Sequence, residues 1–116
     1  MIVSIGEFTL KKRALLPEFL KLSKQIHLES QQSKGNIDSE LSNVGIQVFY
    51  SFTHWETKED MMDFVHGNTH AIALKETIKL CKTASFLHFE TENPIDLTTA
   101  KAQLKNSELT RVMTFE

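Results

Sequence analysis

Cysteine is almost absent from this 116-residue chain, in which Cys81 stands alone. A single thiol excludes an intramolecular disulfide and any multi-cysteine zinc site, and it suits a reducing cytosol. Glycine is scarce as well. Gly6, Gly35, Gly45 and Gly67 never cluster, so no phosphate-cradling loop is present, and no serine nucleophile elbow can be found either. No apolar run approaches the roughly 20 residues that span a bilayer. Met1 leads straight into the alternating stretch Ile2 to Leu10, without the charged start and apolar block of a signal peptide. Neither sign of charge dominates. With 13 Lys and Arg against 15 Asp and Glu, the net charge is −2, which argues against a broad electrostatic footprint for nucleic acid or anionic membrane. The expected location is cytoplasmic.

What remains is an ordinary globular composition, 41% hydrophobic and 24% charged, at the usual size of one domain. Ile2 to Leu10 reads as a β-branched and aromatic strand. Leu15, Leu16, Phe19, Leu20, Ser23, Ile26, His27 and Ser30 then recur at spacings of three and four, which predicts an amphipathic helix ending near Lys34 and Gly35. Pro17 falls in its first turn, where a missing N–H costs nothing. Residues 36–42 form a weaker strand. The clearest strand runs from Val44 to Trp55, with Val44, Ile46, Val48, Tyr50 and Phe52 on one face and Gln47, Phe49, Ser51, Thr53 and Trp55 on the other. The wholly apolar face is assigned to the helices, leaving the second face to line a cavity or meet another subunit.

Thr57 caps a helix whose buried side is Met61, Phe64 and Val65, with Asp60 completing a capping box. A break at Gly67 and Asn68 leads to a second piece whose stripe is Ala71, Leu74, Ile78 and Cys81. Residues 83–90 give another strand, Thr98 to Lys105 a short helix, and residues 109–116 a final short strand. The order predicts an α+β fold: a ferredoxin-like βαββαβ antiparallel sheet with helices on one face, plus an extra C-terminal helix and strand. Residues 1–93 form the ferredoxin-like unit and 94–116 an extension of the same domain. Phe49 and Trp55 on an open face are too aromatic to leave wet, so a homodimer closing two sheets into an α/β barrel is expected.

Within this frame Trp55, Glu56, Glu59, Asp60, Phe64, Val65, Gly67, His70 and Ala71 resemble the pattern of the dimeric α/β-barrel superfamily, in its antibiotic-biosynthesis-monooxygenase-like group. The strand "LCKTASFLHFE" and the ending "VMTFE" are similar to uncharacterised bacterial relatives of spheroidene monooxygenase. The resemblance implies a small-molecule enzyme, and the superfamily spans many reactions.

His70 is the candidate base, placed by the resemblance at a helix start where backbone dipoles lower an imidazole pKa; the other reading is a packing histidine. Trp55, Phe64, Phe49, Ser51 and His88 are the candidate substrate-binding residues, each with a core, interface or sheet-polar reading beside it. His66 and His70 lie four apart, but Gly67 breaks the helix that would align them on a metal, so no metal is expected. Cys81 reads as an inert buried thiol. The reading that follows is a cytosolic monooxygenase-like enzyme with no organic cofactor, acting on a small hydrophobic or aromatic molecule. A non-catalytic binding or structural dimer is the alternative. Haem binding through His70 or His88 is a third reading, although the resemblance puts the haem-degrading ligand position at Leu74.

Overall fold

Alternating β-branched and aromatic residues make Ile2–Leu10 the first strand, β1. The computed structural model describes residues 1–115. A single 3-10 turn leads from β1 into helix α1 (Leu16–Gln32), with Pro17 in its opening turn. Gly35 then takes a φ of +80°, a left-handed conformation that favours glycine. A Cβ at Gly35 would also collide with the carboxylate of buried Asp60. Strands β2 (Asn36–Val44) and β3 (Val48–Trp55) form a hairpin around Gly45. Thr57 caps helix α2 (Lys58–Val65), its hydroxyl accepting the Asp60 N–H at 3.1 Å. Helix α3 (Asn68–Leu80), strand β4 (Cys81–Glu90), helix α4 (Leu97–Asn106) and strand β5 (Arg111–Thr114) complete the chain. Of the expected final strand, Glu116 lies outside the described residues.

The strands form one antiparallel sheet in the order β2-β3-β1-β4-β5. Its first four strands follow the ferredoxin-like plan, and β5 extends the β4 edge. The expected α+β architecture is therefore present.

The assignment of strand faces is reversed. Directly paired residues share a face, so Phe8, Phe49 and Ala84 lie together, as do Ile5, Phe52 and Leu87. Phe8, Phe49, Phe19 and Leu80 belong to one packed cluster, which puts the odd-numbered side of β3 beneath the helices. Val3, Ile5, Phe52 and Leu87 form a second cluster with Ala100 and Leu104 of α4, and none of these six is more than 5% exposed. The C-terminal helix thus covers the face that was expected to carry the other helices. The cause is local: the chain turns at residues 45–47, so Val44 and Ile46 do not belong to β3. Without them the two faces of β3 are comparably apolar, and the choice of face loses its basis. Phe49 and Trp55 are covered within one chain, so they no longer argue for a partner.

The stripe on α3 is also displaced. Ala73, Thr77 and Leu80 are buried, whereas Ile72, Leu74 and Ile78 are exposed. Thr77 tolerates burial because its hydroxyl donates to the Ala73 carbonyl at 2.8 Å, so no polar atom is stranded. Small residues under α3 leave space between helix and sheet, and a search for large apolar side chains passes over them. Cys81 is the C-cap of α3 and the first residue of β4, packed against Leu10, Phe19 and Leu80. Burial pushes its thiol up to about 11, which keeps it protonated and inert near neutral pH.

His54 holds the lead into α4. This imidazole, only 3% exposed, accepts the Ile95 N–H on Nε2 at 3.3 Å and meets Phe52 edge-on. Burial lowers its pKa, against the opposing pull of Asp38 and Glu40.

Candidate active site

A cavity of about 250 Å³ separates the sheet from α1, α2 and α3. That is slightly below the roughly 300–1,000 Å³ of drug-sized ligand sites. Its floor comes from residues of β1 and β3 that point toward the helices, and its walls from Phe19, Phe64 and Phe86. Leu20 and Leu74 line it while 48% and 40% exposed, so they stand at its mouth.

Five candidate residues come together here. Phe49, Ser51, Trp55, Phe64 and His70 all line the cavity. The sixth, His88, is exposed on β4 and lies outside that lining, although its strand position was compatible with a cavity or a buried role. Its neighbour β5 pairs only residues 83–86, so among the described residues no strand pairs with His88 on that side.

The aromatic end of the cavity is tightly ordered. Trp55, 1% exposed, donates its indole N–H to Thr53 Oγ1 at 2.9 Å. Its ring lies 5.3 Å from that of Phe64 at an interplanar angle of 32°, and Phe64 meets the His70 imidazole edge-on at 5.7 Å. Such offset and edge contacts fix ring positions beyond the burial they provide. Burial lowers the His70 pKa, and the nearby His66 lowers it further. At neutral pH the His70 imidazole is uncharged and has a free nitrogen to accept a proton.

His66 is the C-cap of α2 and His70 lies in the first turn of α3, with Gly67 at the N-cap of α3 between them. Among the described residues no group of three or more His, Cys, Asp or Glu side chains is placed to hold a metal ion. A second hollow of about 490 Å³ lies beneath α4. Within it Tyr50 donates to Glu7 Oε2 at 2.6 Å, and Lys101 Nζ sits 4.2 Å over the Tyr50 ring. Hydrogen bonding to that carboxylate and burial raise Tyr50 to about 12, with burial the larger cause.

Sequence reading missed two histidines. His27 lines the cavity from α1, and its place in the apolar spacing of that helix was the available signal. His54 falls on the alternate face of β3, beyond the point where apolar alternation drew attention.

Both His54 and His70 have lowered pKa values in the folded state, so the unfolded chain binds protons more readily. Their contribution to stability is present above about 6.5 and is lost as pH falls from there toward the folded values. The melting temperature is expected to fall between pH 7 and pH 5, and a double His54→Gln, His70→Gln variant to show a shallower slope. A melting temperature that rises on acidification in the unmodified chain contradicts this.

No protein-family model matches the chain, and neither does any curated protein. Solved structures do. A protein of Deinococcus radiodurans named as a candidate antibiotic biosynthesis monooxygenase superposes with a TM-score of 0.76 at 16% identity, covering 84% of this chain and 98% of its own. SnoaB of Streptomyces nogalater, described as a cofactor-independent oxygenase, gives 0.68 at 10% identity over 81% of this chain and 95% of that one. The chain has the antibiotic-biosynthesis-monooxygenase-like fold. A structure from Nitrosomonas europaea, also a candidate of that name, agrees at 0.69 and 13% identity, over 80% of this chain and 100% of its own. Identities this low show the fold alone, and they do not carry the narrower resemblance to relatives of spheroidene monooxygenase. Among the described residues no helix is long and apolar enough to cross a membrane.

Proposed function

We propose that this chain is a monooxygenase-like enzyme that oxidises a small, uncharged, hydroxylated aromatic molecule inside its own cavity, without a resident organic cofactor. The observation that carries the reading is an aromatic chamber whose lining, among the described residues, includes no Lys, Arg, Asp or Glu and places the His70 imidazole against Phe64 beside Trp55. Charged ligands find no counter-ion there, while a flat apolar ring finds stacking walls. Among the described residues the lining offers no Lys or Arg to pair with the propionates of a haem, which disfavours a haem seated there.

In the proposed reaction His70 removes a proton from an activated CH₂ of the substrate. The carbanion passes one electron to O₂, the resulting radical pair combines to a peroxide, and its collapse leaves a carbonyl and one water. Atoms balance as R₂CH₂ + O₂ → R₂C=O + H₂O. Exclusion of water protects the carbanion from reprotonation. Trp55, Phe64, Phe49 and Ser51 position the ring. His88 has no part in this chamber.

We also propose a homodimer, now on different grounds. Exposed Leu109, Val112 and Met113 lie at the β5 edge, and exposed Leu41 and Val44 lie on β2, so edges rather than a bare sheet face support self-association. A cytosolic setting accords with the lone buried thiol.

The test is O₂ uptake with anthrone and hydroxylated anthrones, which carry the activated CH₂ that the reaction needs. Turnover above the uncatalysed rate is expected, with a His70→Ala variant losing about 10²–10⁴-fold of it, the span ordinary for a general base. No uptake with any of them favours a non-catalytic binding protein, and full activity in His70→Ala removes that side chain from the mechanism.

A further inference from the structure

The cavity holds a second unengaged imidazole. His27, half-buried on α1, and His70 on α3 both line the same space from helices that pack against each other. Neither side chain has a hydrogen-bond partner among the described residues. The backbone of His27 is fixed, because its carbonyl accepts the Ser30 hydroxyl at 2.7 Å, and Ser30 Oγ lies 2.8 Å from Ser39 Oγ on β2. With Ser30 donating to the carbonyl, Ser39 donates to Ser30, and Asn36 Nδ2 in turn donates to Ser39 at 2.9 Å. That ladder ties the helix to the sheet edge and leaves the imidazole of His27 outside it.

Neither imidazole is sealed from water, since no buried side-chain N or O atom among the described residues lacks a partner, so a ligand oxygen that reaches either ring takes the place of the water it displaces. The remaining polar groups of the lining are mostly hydroxyls. Ser30 is consumed in the ladder, Thr53 accepts from Trp55, and Thr77 donates to its own helix. Ser4, Ser23, Ser42 and Ser51 add single hydroxyls to the lining, and the two imidazoles are its aromatic polar groups, each pairing a donor with an acceptor nitrogen.

We infer that His27 is a second polar anchor of this cavity, and that its ligand is a flat apolar molecule carrying two separated oxygens, one engaged by His70 and the other by His27. This rests on the reading of the chamber as a ligand site and goes beyond it. A single-oxygen ligand satisfies one imidazole and leaves the other bare. A ligand with two oxygens satisfies both, and its orientation is set by the pair. His27 is a positioning residue here; proton removal stays with His70.

The full chain is titrated with 2,6-dihydroxynaphthalene, 2-naphthol and naphthalene. Occupancy is read from the indole N–H resonance of Trp55, the single tryptophan and a wall of the cavity. Each added hydroxyl is expected to tighten binding by roughly tenfold, the worth of one hydrogen bond. His27→Ala should bind the diol and 2-naphthol equally, while naphthalene affinity stays within about twofold. His27→Gln, which keeps a hydrogen-bonding group, should recover part of the diol preference. Equal affinity for diol and naphthol in the unmodified chain overturns the two-anchor inference while leaving the ligand site standing. So does an undiminished diol preference in His27→Ala. Equal weakening of all three probes in His27→Ala, with unchanged melting, assigns His27 to the wall and overturns the anchor. Failure of every probe to move the Trp55 signal overturns the ligand site and the anchor together.

Discussion

Removing residues 95–116 is expected to abolish cooperative unfolding of the monomer and to drive the shortened chain into oligomers. Val3, Ile5, Phe52 and Leu87 would lose the cover of Ala100 and Leu104. Exposing a fully buried large apolar side chain costs about 1.5–3 kcal/mol. Uncovering even part of four of them approaches the roughly 5–15 kcal/mol on which a whole domain stands. The His54 acceptor would also lose the Ile95 N–H. A sheet face this apolar cannot stay wet, so the truncated protein should pair face to face or aggregate. Thermal unfolding and size-exclusion chromatography read the outcome. A truncated chain that melts cooperatively as a monomer, within a few degrees of the full chain, shows that α4 is an accessory and not half of the core. Face-to-face pairing by the truncated chain alone would show that this helix occupies a surface otherwise fit for a second copy.

The order of elements was legible because each has its own local signal. Pro17 and Gly35 bracket α1, Thr57 caps α2, and the spacing of apolar residues gives the helices their type. Layering was not legible, because it depends on which of two similar strand faces meets which helix. A three-residue turn at 45–47 moved Val44 and Ile46 onto β2 or into the turn, and the balance between the faces changed with them. Five of the six candidate residues line one cavity despite this inversion. Trp55, Phe49 and Ser51 share a face whichever side the helices take, and a cavity forms wherever small residues such as Ala73 and Thr77 keep a helix off an aromatic floor. What changed is the position of the chamber: it lies between the sheet and α1, α2 and α3, on the face opposite to the one assigned to the helices. His88 was lost because strand alternation says which face a residue occupies and nothing about whether a neighbouring strand reaches that far.

Trp55→Ala is expected to cost about 3–5 kcal/mol of stability, the range for deleting a buried aromatic ring. The upper part of that range applies here. Large-to-small changes are mildest where the surroundings collapse into the space, and collapse is hindered beside an existing cavity of about 250 Å³ held open by Phe19, Phe49 and Phe64. Two further losses add to the vacated volume: the ring contact with Phe64 at 5.3 Å, and the N–H that Thr53 Oγ1 accepts at 2.9 Å. Trp55→Phe keeps most of the wall and should cost about 1–3 kcal/mol, since it removes some volume and leaves Thr53 without its donor. Denaturant titration gives both values. Indole supplies an internal check, because it restores both the missing ring and the missing N–H. Added indole should raise the melting temperature of Trp55→Ala by mass action, and raise it more than in the unmodified chain. A cost under about 1 kcal/mol for Trp55→Ala, with no response to indole, would mean that Trp55 neither closes the core nor bounds an accessible chamber. The oxidation and the two-anchor site both need that wall, so this substitution bears on stability and chemistry together.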